Sequence, residues 1–447
     1  MAPVSPTDLA NASPSNTTKP PLSTGSSTDC SQVNCYYVRA GASGANSGAD
    51  WNNAYPALPA TLMRDALYFV AGGSYPSWTF NTPESGTSVV TVKKAAPSDH
   101  GTQTGWAASY GTTQAVFSSQ ININRGYFIF DGQYRNESNW FDGPSYGFKI
   151  ANNGAWDNLV IRNPDLVTAL SNVTIGCVYI AAIVGSLPAA GSGERPYGVD
   201  TWTFNSSLYN SGYVFSHLYV EGSCNSYFLD GLINPVLEYS ASRATSGSST
   251  YHGEVVNLYY SFYGGGVVRF NHFKDSFNGA SGYSAGGGTG VIAIAYSSTK
   301  AAGSTEIYGN IFENYQVGDG AVAADAWTSN NIHVYNNTFI NGAPQSPTVG
   351  LPNPSAYPGV TGVGNAAFNN LVVGSAIVSF YGSSATFGNN STDTASVFVN
   401  YAAGDFRLAR HTTTAGTSLP SPFNVDIAGN IRGDADGFWD IGAYQFK

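Results

Sequence analysis

Charge is what this 447-residue chain has least of: Asp, Glu, Lys and Arg together make up 10% of it, with 18 basic residues against 28 acidic ones. No Lys/Arg cluster is present, so a phosphate backbone finds little to bind, which argues against nucleic acid as a partner. Long apolar runs are missing as well. No stretch of about 18 apolar residues exists to span a bilayer, so no membrane span is expected. The opening MAPVSPTDLA lacks the basic start and apolar core of a signal peptide, and the expectation is that a secretion signal has been removed. G-x-S-x-G, P-loop and H-E-x-x-H strings are all absent, and the run GGGTG (286–290) does not open a helix after a strand, so a nucleotide site is not supported.

What is present is a core-building supply of apolar (42%) and aromatic (14%) residues together with 52 glycines and 29 tyrosines. That balance suits many short strands joined by tight turns and predicts an all-β protein. Residues 5–29, SPTDLANASPSNTTKPPLSTGSSTD, cannot bury a core, so 1–34 read as a flexible stalk or tail ahead of a domain over 35–447. Four cysteines fit an oxidising compartment. Cys30 and Cys35 are close enough to be bridged, and Cys177 and Cys224 become a pair if one coil carries a long insertion; four cysteines allow three pairings, so connectivity stays open.

The sequence repeats itself. VVRFNHFKD (267–275), EIYGNIFEN (306–314) and HVYNNTFIN (333–341) each carry an asparagine followed two residues later by phenylalanine: Asn271/Phe273, Asn310/Phe312 and Asn337/Phe339. AFNNLVV (367–373) is a weaker copy around Asn370, and successive asparagines lie 39, 27 and 33 residues apart. A second series keeps step, with HGEVVNLY, TGVIAIAY and DGAVAADA superposing on Gly253, Gly290 and Gly320. Two β-rich segments per unit with glycine corners predict stacked coils whose parallel strands sit about 4.8 Å apart. The asparagines should ladder along one corner and the phenylalanines stack inside.

The start of the ordered region, YYVRAGASGANSGADWNNAYPAL (36–58) with DALYFVAGGSYPSW (65–78), resembles the amino-terminal cap of secreted proteins of the pectate-lyase-like superfamily. DIAGNIRGDADGFWDIGAYQF (426–446) resembles their closing segment. The resemblance implies a right-handed parallel β-helix, a single-stranded solenoid with capped ends: a cap region over 35–115, coils over 116–400 and a closing segment over 401–447. It also implies an extracellular or cell-surface location. The N-T-D, G-H-G and R-I-K strings of pectin-type polygalacturonases are absent, and the fold hosts both enzymes and non-enzymes.

Chemistry is expected where the glycine-anchored series carries ionisable groups. Alternation places Val255, Ile292 and Val322 inward, which sends His252, Glu254 and Asp319 outward to solvent on one sheet face. Two strand steps separate Glu254 from Asp319 by roughly 9–10 Å at the backbone, compatible with a carboxyl pair of a glycosidase. His252 would tune Glu254 or act as the base. A lyase would instead need a base and a cation to neutralise a uronate carboxylate. Tyr251, Thr289, Tyr296, Asp325 and Trp327 are the expected substrate-binding residues of the same face. The competing reading is structural: His252 and Glu254 bond each other and nearby turn amides, Asp319 is a turn residue, and His217, His272 and His333 lie on different coils without metal-ligand spacing. DADG (434–437) holds half a calcium-loop pattern without the later bidentate glutamate, so no cofactor is expected and calcium is the open alternative.

Together these readings predict an extracellular carbohydrate-active protein, a glycoside hydrolase or polysaccharide lyase acting on a polysaccharide or cell-surface glycan. The alternative is a non-catalytic surface or appendage rod that adheres or self-assembles through the stalk.

Overall fold

A computed structural model describes residues 30–152, 157–165, 168–182, 197–202, 208–246, 253–258, 265–277, 290–294, 303–318, 320–324, 331–344, 346–351, 364–376, 379–381, 385–433 and 436–447. The stalk segment 5–29 therefore lies outside the described residues. The chain divides into two compact units, 22–263 and 264–447. Each is a stack of coils built from three parallel sheets, here called I, II and III in the order in which a coil visits them. The expected parallel β-helix is what these ladders form.

In the first unit, sheet I starts with Asn34–Val38, paired parallel and in register with Ala66–Val70, which pairs with Val90–Lys94. Parallel rungs thus run through residues read from sequence as a cap. Side chains of alternate residues fill the coil: Val90, Phe128 and Val173 share one inward row and Val92, Phe130 and Ile175 the next, all fully buried. These rows are β-branched and aromatic because such side chains fit a pleated, stacked surface. Cys30 is bridged to Cys35, while Cys177 and Cys224 are buried thiols.

In the second unit, sheet I comprises Gly266–Arg269, Thr305–Tyr308, Ile332–Tyr335, Ala366–Phe368 and Thr386–Gly388. Sheet II follows one corner later with His272–Phe277, Ile311–Gln316, Thr338–Ile340, Leu371–Val373 and Ser391–Asp393. The corner between them carries the expected ladder. Asn271 Nδ2 donates to Asn310 Oδ1 at 2.9 Å, Asn310 to Asn337 at 3.0 Å, Asn337 to Asn370 at 3.1 Å and Asn370 to Asn390 at 2.8 Å. Each Oδ1 also accepts the backbone N–H of the asparagine one coil earlier. Asparagine suits this place because its short amide offers donor and acceptor together, so every buried group of the corner is satisfied by the next rung.

The turn itself needs one left-handed residue before each ladder asparagine: Phe270, Gly309, Asn336, Asn369 and Asn389, with φ of 57°, 66°, 54°, 58° and 51°. Glycine and asparagine accept that conformation readily. In the first unit the corresponding place is held by Cys177, His217 and Tyr239, so His217 is a corner residue, in line with its structural reading. Beside the ladder, Phe273, Phe312 and Phe339 align in register; Phe312 and Phe339 stack at 4.7 Å, and Phe273 packs tilted on Phe312 at 5.7 Å.

Beyond Asp393 the chain leaves the coils. Phe398–Asn400 and Asp405–Leu408 form an antiparallel pair, and residues 411–433 and 436–446 then pass over the corner and the outer side of sheet II. There Ala443 N–H donates to Thr338 Oγ1 at 2.8 Å. Among the described residues no helix is long and apolar enough to cross a membrane.

Candidate functional site

Sheet III of the first unit carries the ionisable groups best placed for chemistry, at the ends of two neighbouring strands. Its strands are Trp78–Phe80, Ile121–Ile123, Asp157–Ile161, Tyr197–Asp200, Asn225–Phe228 and Val256–Leu258. Trp78, Ile121, Leu159, Val199, Tyr227 and Val256 align as the inward row. Alternation then puts Thr79, Asn122, Val160, Asp200, Phe228 and Asn257 in the opposite row. At its amino-terminal end this row opens into a cleft of about 290 Å³, whose polar lining includes Thr79, Gln120, Asn122, Asn124 and Arg162.

Arg162 joins the cleft to a pair of carboxyls. Its Nη1 donates to Asp200 Oδ2 at 2.7 Å and to the Trp202 carbonyl at 3.1 Å, and Asp200 Oδ1 accepts the Trp202 N–H at 2.8 Å. Asp200 is 1% exposed. Burial raises the pKa of Asp157 to about 7, and the neighbouring charge of Asp200 adds to the rise while Arg162 opposes it. Burial raises Asp200 too, against the pull of Arg162 and the Trp202 N–H. Asp200 receives the guanidinium and a backbone N–H, both of which favour its charged form, whereas Asp157 is held up by burial and by the charge of Asp200. The group therefore places an arginine, the carboxyl it pairs with and a second carboxyl that burial brings to titrate near neutrality side by side.

The residues expected from sequence fare differently. His252, Asp319, Tyr251, Thr289, Tyr296, Asp325 and Trp327 lie outside the described residues. Glu254 is described, and it is 1% exposed instead of solvent-facing. Val256, paired with inward Tyr227, holds the inward row here in place of Val255, so the parity is shifted by one residue and Glu254, two before Val256, falls on the inward side. Glu254 turns into the protein, where Oε2 accepts from Asn257 Nδ2 at 3.5 Å. Further along the same series Gly290 pairs with Gly320, Ile292 with Val322 and Ile294 with Ala324, as the repeat predicts. The opposite face is nonetheless not open: Val291 and Ala321 are fully buried and Ala293 and Ala323 are 4% exposed. Parallel sheets are commonly covered on both faces, and here alternation separates the two faces without making either wet.

Asp157, Asp200 and Arg162 escaped the sequence reading because the repeat series starts near residue 253, and the coils before it vary in length. The signal was there in DNLVIRN (157–163), a strand with charged residues at both ends. Other buried ionisable groups hold structure. Lys94, fully buried and pulled down to about 7 by burial, donates to the carbonyls of Ala95 and Tyr110 at 2.6 and 2.8 Å. Arg135 stacks on Trp140 at 4.1 Å and pairs with Glu137. Among the described residues no three His, Cys, Asp or Glu side chains are grouped to hold a metal ion.

No family model matches the chain, and no curated protein matches it. Among solved structures it is similar to the crystal structure of pectate lyase Pel9A, with 14% sequence identity and a TM-score of 0.49 over 92% of this chain and 96% of that one. The parallel registers described above establish the fold independently of that likeness.

Proposed function

We propose that the chain is an extracellular carbohydrate-active β-helix that cleaves a polysaccharide along sheet III, with Asp157, Asp200 and Arg162 as the working group. The single observation that carries this reading is the ion pair of Arg162 with buried Asp200 at the edge of a polar cleft that Arg162 lines, with Asp157 beside it raised to about 7 by burial. A carboxyl so raised can protonate the leaving oxygen of a glycosidic bond, the step that glycan hydrolysis requires. Arg162, paired with Asp200 and lining the cleft, is the cation that a carboxylate-bearing sugar would meet there, which elimination requires. The disulfide at Cys30 supports an oxidising, extracellular setting. His252 and Asp319 remain proposed catalytic residues.

The test is a panel of neutral and acidic polysaccharides, read both by reducing ends and by unsaturated products, on wild type and Asp157→Asn. Reducing ends without unsaturated products mark a hydrolase, and both together mark a lyase. Activity that survives Asp157→Asn at full rate removes Asp157 from the reading. A second reading, a non-catalytic surface or appendage scaffold, is favoured by the burial of Glu254 and of both faces of 290–294 and 320–324. Wild-type inactivity on every glycan selects it.

A further inference from the structure

His411 opens the closing segment and has both ring nitrogens against carboxylates. Nδ1 lies 3.0 Å from Asp440 Oδ2 and Nε2 lies 2.9 Å from Asp436 Oδ2. Nδ1 hydrogen-bonds Asp440 and Nε2 meets Asp436 as an ion-pair contact, an arrangement that favours the ring protonated on both nitrogens, the imidazolium. The ring is clasped between Phe438 and Phe446, at 4.4 and 4.9 Å. Asp440, fully buried, is in turn fixed by the Thr412 N–H, Gln445 Nε2 and the Phe446 N–H. The other charged groups around the clasp are already engaged. Arg410 is paired with Asp393 at 2.6 Å, Arg432 donates to the Asp440 and Gly442 carbonyls, and Asp426 accepts from the Asn430 and Gln445 N–H groups.

The clasp ties together two stretches that lie over the corner and over sheet II. Gly416 N–H donates to the Trp439 carbonyl at 2.7 Å, and Thr417 exchanges two hydrogen bonds with the Asn369 side chain, both 2.8 Å. Gly442, at φ 94°, lies so close to Thr338 Oγ1 and Leu371 that an added Cβ would come within 2.7 and 2.8 Å of them. We propose that residues 411–417 and 436–446 form a proton-operated strap: the His411 imidazolium gripped by Asp436 and Asp440 holds the closing segment on the coils, and loss of that proton lets it lift from the corner.

The sign follows from the direction of the shift. Burial of the ring opposes its charge, but the bonds and charges of Asp440 and Asp436 outweigh it and raise the His411 pKa above the ordinary value. The clasp is therefore fully present below the unfolded value of roughly 6.5 and is lost as pH rises through the raised value. Between those limits the opening equilibrium climbs by up to about tenfold per pH unit. His333, on sheet I, also faces two acceptors, Glu306 at 3.0 Å and the Gly364 carbonyl at 3.2 Å, yet it bonds no residue of the two strap stretches and serves as an internal comparison.

Amide hydrogen exchange of the full chain from pH 6 to 9, corrected for the intrinsic rate, tests the strap. Protection of 411–417 and 436–446 should fall as pH rises, while the ladder rungs around Asn310, Asn337 and Asn370 keep theirs. Asp436→Asn should move the loss to lower pH, and His411→Lys, whose charge persists to higher pH, should keep the strap protected throughout. His333→Gln should leave the response of the strap unchanged. Strap protection that is constant with pH in wild type, or a midpoint that Asp436→Asn does not move, overturns the proposal. If His411→Lys cannot fold, the Asp436→Asn midpoint alone decides.

Discussion

Asn336 and Asn337 are consecutive, yet their side chains serve opposite sides of one corner: Asn336 Nδ2 donates outward to the Phe423 carbonyl at 2.9 Å, while Asn337 Nδ2 donates inward to the Ile307 carbonyl at 2.9 Å. The left-handed conformation at Asn336 turns the chain between them. The doublet recurs as Asn369–Asn370, where Asn369 binds Thr417 and Asn370 continues the ladder. One asparagine of each doublet builds the coil and the other seats the closing segment.

Replacing a ladder member should cost global stability. Asn310→Ala removes the amide that accepts from Asn271 and donates to Asn337 and to the Val268 carbonyl. It leaves buried groups unpaired on two rungs, at about 1–3 kcal/mol. Chemical denaturation should show a lowered midpoint; an unchanged midpoint counts against the ladder. Asn336→Ala should instead act locally, speeding proteolysis of the closing segment with a smaller change in the main transition.

Glu254 is buried, so the expected effect of Glu254→Gln is structural. Gln preserves an acceptor for Asn257, and any glycan cleavage should survive, with stability lowered by about 1 kcal/mol. A melting curve and a cleavage assay on the same preparation separate the outcomes: loss of cleavage with an unchanged melt would restore Glu254 as a catalytic group.

Asp157 should leave a mark on pH dependence. Its folded pKa of about 7 lies above the ordinary 3.8 because burial, first, and Asp200, second, oppose its charge. The folded state therefore holds a proton that the unfolded chain has already released. Stability falls as pH rises from about 4 to about 7. Asp157→Asn, neutral throughout, should flatten that decline, and any activity that uses the Asp157 proton should fade above about pH 7 and drop by roughly 10²–10⁴-fold in the variant. A pH series of melting temperatures with the same slope in both proteins would refute the assignment.

Gly442→Ala should loosen the closing segment without touching the coils. The new methyl meets Thr338 Oγ1 and Leu371 at a backbone angle that favours glycine, and an Ala at positive φ is strained by about 1 kcal/mol or more. Limited proteolysis should cut 411–446 faster while the fragment ending near Asp393 stays resistant.

The sequence by itself determined the solenoid. Asn271, Asn310, Asn337 and Asn370 recur because each rung must satisfy the one before it, and Phe273, Phe312 and Phe339 recur because a stacked interior repeats its side chains; periodic physics leaves periodic letters. Glycines 290 and 320 likewise announced their register. What only the tertiary structure decided was which groups the coils bury and which distant ones they bring together. Glu254 looks outward if Val255 points inward, but Val256 holds the inward row and Glu254 is buried with it. Asp157, Asp200 and Arg162 meet across two neighbouring strands whose separation in sequence depends on loop length, which no repeat encodes. His411, Asp436 and Asp440 meet because the chain returns over its own corner. A ladder is a local rule applied many times, whereas these contacts are single events of long-range closure, and nothing in their immediate sequence records the partner.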